Sequence, residues 1–264
     1  MLSEALDFKA ESDGLYELMK DLDDAAFSEP TQFKGWTLTN VLEHLHMWNW
    51  AAHESHADEA NFAAWLERAL PEVMKGGMRA FEAKWNDGVS GRALLEKWHI
   101  FYTAMADEMV KVDPKKRLKW AGPDMSARSS ISARLMETWA HGQEVYDHLG
   151  VVRKNKDHIK SIVVLGINTF GWTYATRGET PPGERPYVRL TAPSGEIWEF
   201  GEPSDVERIE GKAEEFCQTV TQTRNIADTG LTVTGAVATD WMSKAQCFAG
   251  APETPPAPGT RFTR

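Results

Sequence analysis

The stretch Arg134-Leu135-Met136-Glu137-Thr138-Trp139-Ala140-His141 holds the pattern that decides how this chain is read. Glu137 and His141 are four residues apart, so on a helix they lie on one face, one turn from each other. Glu144 and His148 continue that stripe, whereas Leu135, Trp139, Val145 and Leu149 occupy a different, apolar arc. A carboxylate and an imidazole one turn apart can both reach a single cation, and helical bundles build metal sites from such side chains on facing helices. The same stripe also suits a solvated helix face, so the metal reading needs a third donor from elsewhere.

That donor is sought on an earlier helix. Thr37, after Gly35-Trp36, is a good N-cap, and Leu38, Val41, Leu42, Leu45 and Trp48 follow at helical spacing. The helix carries both His44 and His46. At ~100° per residue each lies roughly 90–110° from the centre of the apolar arc, on opposite sides, so periodicity leaves both open. His53, His56 and His99 are further options, more readily read as surface or core histidines. Trp48, Arg134, Glu144 and His148 are pocket candidates, and Glu144, Asp147 and His148 form an alternative ligand set.

Working outward, residues 3–23 place Leu15, Leu18, Met19 and Leu22 at helical spacing. A shorter helix over 60–74 is expected to be disturbed by Pro71. Ser90 caps a helix that runs to about Val112 and is halted by Pro114; another runs from 126–130 to Gly150, a C-cap glycine. A further helix spans 157–177. The pattern predicts an α-helical bundle of four main antiparallel helices over residues 1–180. The segment 178–186, GETPPGERP, breaks the periodicity. Beyond it, 187–192 and 196–200 alternate as a hairpin around Pro193-Ser194-Gly195, 206–220 reads as helix, 231–234 as a short strand and 239–248 as helix. A small α+β domain is therefore expected over 181–252, followed by a loosely ordered Pro-rich tail, 253–264.

Apolar residues make up 42% of the 264-residue chain, enough for a substantial core, and charged residues 26%. The formal net charge of −10 disfavours a polyphosphate partner, so no nucleic acid is expected. Lys115, Lys116, Arg117 and Lys119 are a short basic run read as a solvated loop. No stretch of about 18 apolar residues offers a membrane span, and the N-terminus lacks a signal-peptide pattern, so a cytoplasmic protein is expected. The two cysteines, Cys217 and Cys247, stand outside any ligand spacing and read as buried thiols. Eleven tryptophans suit a core, or pockets and interfaces.

Gly35-Trp36-Thr37, Val41 and His44-Leu45 together resemble the first motif of the mycothiol-dependent maleylpyruvate isomerase N-terminal family, within the wider DinB-like metal-binding bundles. Arg134, Glu137-Thr138-Trp139, His141, Val145 and Leu149-Gly150 resemble its second motif. The resemblance implies a divalent metal, usually taken as Zn²⁺, held by His44, Glu137 and His141, and favours His44 over His46. It extends loosely into the second half, where Cys217, Thr223-Arg224, 231–235 and Trp241 are similar to the small second domain of these isomerases. In that domain an arginine faces the active site, which implies a catalytic role for Arg224. Glu144 is a departure, since relatives often carry aspartate three residues after the metal-binding histidine.

Three protein ligands leave a fourth position open, the pattern of a catalytic zinc site. The resemblance implies a low-molecular-weight thiol as external partner and a small electrophilic acid as substrate, isomerised or joined to the thiol, with Arg224 holding a carboxylate. Two competing readings are a non-catalytic metal-binding or stress-response module, and a metal-dependent hydrolase with Glu144 as general base. An apolar face left on the bundle would suit a homodimer.

Overall fold

A computed structural model describes residues 1–264 and is mostly helical with a small sheet region. Its contacts divide the chain into two compact units, Met1–Val145 and Tyr146–Arg264. At the compositional break over 178–186 the helices give way to the strands of the larger sheet.

The first unit contains α1 (Glu4–Met19), α2 (Leu38–Ala57), α3 (Glu59–Gly76), α4 (Met78–Trp85) and α5 (Gly91–Met109). A two-stranded ribbon follows, β1 (Arg117–Leu118) antiparallel to β2 (Met125–Ser126), and leads into α6 (Ala127–His148), within which the unit ends. α2 packs along α5, α5 along α1, and α3 and α4 lie against α2. The start of α2 is fixed by a full capping box: Asn40 N–H donates to Thr37 Oγ1 and Thr37 N–H to Asn40 Oδ1. Leu42, Leu45, Leu135 and Trp139 of the expected apolar arcs are fully buried, together with Leu94, Leu95, Trp98 and Ile131. A second cluster gathers Met47, Ala51, Phe62, Trp65 and Ala69 with Trp48, Trp50, Trp85 and Trp120. Much of the tryptophan therefore sits in one aromatic mass beside α2, where large rings bury the most apolar area per residue.

Several elements differ from expectation. Pro71 lies inside α3 without ending it. Pro71 and Glu67, whose carbonyl loses its helical N–H partner, are both exposed, so water can replace that bond. The helix α4 and the β1–β2 ribbon had no clear periodic signal.

In the second unit, Gly150 adopts φ +68° and closes α6, with Val151 N–H donating to the Tyr146 carbonyl. The helix expected over 157–177 is divided into α7 (Lys160–Asn168) and α8 (Phe170–Ala175). At the junction Thr169 Oγ1 donates to the carbonyls of Leu165 and Gly166, side-chain bonding that bends a helix. The sheet runs β4 (Ile197–Phe200), β3 (Tyr187–Thr191), β5 (Arg208–Lys212), β6 (Thr232–Thr234) in spatial order. β3 pairs antiparallel with β4 as the hairpin predicts, and parallel with β5; β5 pairs antiparallel with β6. The helix expected over 206–220 is corrected: its first part is β5, and only Ala213–Val220 is helical, as α9. α10 (Ala236–Lys244) follows β6. The Pro-rich tail is pinned rather than loose, with Asn225 Nδ2 donating to the Pro256 carbonyl and Gly259 N–H to Asp228.

Candidate metal centre

α2 and α6 supply the three donors. The ligand atoms of His44, Glu137 and His141 all lie within 4.8 Å of one another. His44 Nε2 is 3.1 Å from Glu137 Oε2, and His141 Nε2 is 3.5 Å from the same oxygen. The opposite ring nitrogens are also committed. His44 Nδ1 is 2.7 Å from Glu82 Oε1, and His141 Nδ1 is 3.2 Å from Glu144 Oε2. An ionised carboxylate only accepts, so both nitrogens of each imidazole donate here, Nδ1 to Glu82 or Glu144 and Nε2 to Glu137; loss of the Nε2 proton would free that lone pair for a metal while Nδ1 keeps its bond. This carboxylate–imidazole pairing is the outer arrangement that orients histidine ligands on a metal. Glu82 is itself fixed by Trp48, whose Nε1–H donates to Glu82 Oε1 at 3.1 Å.

The Gly35-Trp36-Thr37 motif has a physical reading. Lys34 and Gly35 turn the chain through positive φ, 50° and 68°, and Thr37 then caps α2. Between them Trp36 is laid flat on His141, centroids 5.2 Å apart and planes 4° from parallel, while Phe33 meets the same imidazole edge-on. One short loop thus starts the helix that carries His44 and holds the ring of His141.

Burial works against charge on both imidazoles, but the surrounding carboxylates outweigh it. His141 is pushed up to about 10 by Glu144 and Glu137, and His44 is raised by Glu82 and Glu137. Burial likewise opposes ionisation of Glu137, yet its hydrogen bonds with His141 and His44, together with Arg134, hold it well below the carboxylate range. Protons therefore occupy the cluster where a cation would stand, and a metal must displace them. Three carboxylates face one guanidinium and two protonated imidazoles here, and a divalent cation would offset the charge left when the two imidazole protons are displaced. Two imidazole nitrogens and one carboxylate oxygen are a donor set suited to Zn²⁺ and neighbouring divalent metals, so the residues fit such an ion.

The other candidates fall as follows. His46 is buried against Trp85 and Phe101, away from the cluster. Trp48 and Glu144 stand beside the centre through their bonds to Glu82 and His141. Arg134 approaches Glu137 Oε1 at 3.9 Å and lies over the Trp120 ring. The alternative ligand set does not assemble around Asp147. Arg224 grips both of its carboxylate oxygens, Nη1 to Oδ2 at 2.7 Å and Nη2 to Oδ1 at 2.6 Å, within the second unit. His148 is buried in that unit. The guanidinium of Arg224 thus already has a carboxylate partner. The sequence reading missed Glu82, Trp36 and Phe33. Glu82 sits on the unforeseen α4, between Phe81 and Trp85 of the aromatic cluster.

Fold and site together define a mostly helical protein with a half-buried two-histidine, one-glutamate cluster whose donor atoms lie close enough to share one ion. The chain belongs to the mycothiol maleylpyruvate isomerase N-terminal domain family, whose model matches residues 8–146. It is 37% identical over 246 residues to uncharacterized proteins of Mycobacterium tuberculosis strains CDC 1551 and H37Rv, covering 93% of this chain and 95% of theirs. Its fold resembles the crystal structure of the mycothiol-dependent maleylpyruvate isomerase, with a TM-score of 0.53 at 16% identity over 82% of this chain and 87% of that one. A histidine-to-alanine mutant of that isomerase matches with the same values. No helix is long and apolar enough to cross a membrane.

Proposed function

We propose that this protein is a divalent-metal, thiol-dependent isomerase or thiol transferase acting on a small electrophilic acid. On this reading residues 1–180 form a DinB-like bundle of four main antiparallel helices, residues 181–252 the small α+β domain, and the protein works in the cytoplasm. His44, Glu137 and His141 would hold the metal, with Zn²⁺ the best match to two imidazoles and one carboxylate. The observation that carries the reading is the convergence of both Nε2 atoms on one Glu137 oxygen, each imidazole braced behind by a carboxylate.

A zinc ion held by these three residues would supply the Lewis acidity to keep an external thiol deprotonated near neutral pH in the position they leave free. The chain's own residues prepare that position. Glu82 and Glu144 fix the tautomer and tilt of the two histidines, and Glu137 divides its carboxylate between the imidazoles on one side and Arg134 on the other. Trp36 and Phe33 cover His141 and limit water there. Cys217, buried and with its thiol pushed up by burial, is a poor internal nucleophile, which favours an external thiol. Addition of that thiol to a conjugated double bond, rotation and its expulsion would convert a cis acid to the trans acid. The hydrolase reading weakens because Glu144, its proposed general base, is buried and engaged with His141 Nδ1.

The test is turnover of maleylpyruvate and related cis-enones by zinc-loaded protein with saturating mycothiol. Thiol-dependent isomerisation or adduct formation is expected. Unchanged substrate, or equal turnover without thiol, would contradict the proposal.

A further inference from the structure

Arg134 is buried, 4% exposed, and forms no hydrogen bond within the protein; its Nη1 is sealed from solvent without a partner. Its nearest acidic atom, Glu137 Oε1, is 3.9 Å from Nη2, beyond hydrogen-bond distance. The guanidinium lies over Trp120, 5.5 Å from the ring centroid, and Trp120 stacks in turn on Phe62. Burying a guanidinium whose Nη1 has no partner is costly, and a fold does not gain by it. The second unit shows the satisfied alternative, Arg224 gripped at both ends by Asp147. Arg134 stands one turn before Glu137 on α6, so its open donors are beside the metal centre.

We propose that Arg134 is the carboxylate-binding residue of the substrate site, taking a small carboxylate anion in its unfilled fork while Trp120 flanks the guanidinium. This rests on the metal-centre reading for the identity of the site, but not for the binding itself. A planar guanidinium matches a carboxylate through two parallel N–H···O bonds, and beside Glu137 it would hold an acid substrate within reach of the metal. The role assigned by resemblance to Arg224 thereby has a second candidate, inside the unit that carries the metal centre.

The experiment titrates maleate, a cis-dicarboxylate, and its uncharged diamide into full-length wild type, Arg134→Met and Arg134→Lys. Calorimetry and tryptophan fluorescence report binding, and metal content and thermal midpoint are measured on every sample. Wild type is expected to bind maleate saturably and to discriminate against the diamide. Arg134→Met should bind maleate at least about tenfold more weakly, because the buried charge that pairs with the anion is gone. It should keep its metal, and its thermal midpoint should change little, since no side-chain hydrogen bond is lost and the 3.9 Å approach to Glu137 is the charge contact removed. Arg134→Lys, which keeps the charge without the fork, should fall between the two and carries the comparison if Arg134→Met does not fold. Maleate binding by either variant within about threefold of wild type would overturn the proposal, as would absence of saturable binding to wild type. Wild type that takes up no metal when zinc is offered yet binds maleate through Arg134 would refute the metal reading alone; metal-loaded protein indifferent to Arg134 would refute this one alone.

Discussion

His46 packs edge-on against Trp85 and Phe101, 3% exposed, with Nδ1 unpartnered. Burial, helped by Lys97, lowers its pKa to about 4. The unfolded chain takes up this proton near pH 6.5 and the folded chain resists until about 4. The unfolded state thus binds more protons in that window, and stability falls as pH drops through it, by about 3 kcal/mol at most. Urea unfolding of His46→Phe from pH 7 to 4 should give a flatter profile than wild type, with metal content unchanged; an equally steep profile would contradict the assignment. Two residues earlier, His44 faces Glu137 and Glu82 instead. Helical periodicity could not separate these two histidines, since both flank the apolar arc; the surrounding motif did. Glu82 was not legible at all, because a buried carboxylate on a short helix leaves no periodic trace. Glu82→Gln should weaken metal binding by about 10–100-fold in competition with a chromophoric chelator, as for other carboxylates behind histidine ligands. An unchanged affinity would reduce Glu82 to a packing residue.

The elements that local pattern alone specifies came out as read. Thr37 caps α2, Gly150 closes α6, and 187–200 folds as a hairpin around Gly195. The errors share a cause, which is tertiary contact outweighing local preference. Arg208–Lys212 looked like the start of a helix, but its pairing with β3, twenty-one residues earlier at Tyr187↔Arg208, makes it a strand. Pro71 looked like a breaker, but on an exposed turn its missing N–H is tolerated. A long-range tie of the same kind holds the end of α6: Asp147 accepts from both Arg224 nitrogens and from Thr263 Oγ1. Their side chains are 5% and 10% exposed, so removing one partner strands a buried charge. Asp147→Ala should cost about 3–5 kcal/mol in chemical denaturation. A loss below about 1 kcal/mol would mean the pair behaves as a solvated surface bridge.

Across the molecule, the proposed function depends on two helices bringing together donors 93 residues apart in the chain, His44 and Glu137. The protein invests a good deal in that meeting: Glu82 and Glu144 behind the imidazoles, Trp36 and Phe33 over them, and Arg134 buried without a hydrogen bond beside them. A solvated Glu/His stripe would need none of these. The most direct measurement is the metal content of purified wild type beside His44→Ala and His141→Ala, by elemental analysis after zinc is offered and the excess removed. The account predicts about one divalent ion per wild-type chain, the loading of a single three-ligand site, and its loss in both variants. No retained metal in wild type, or metal retained equally in both variants, would contradict it.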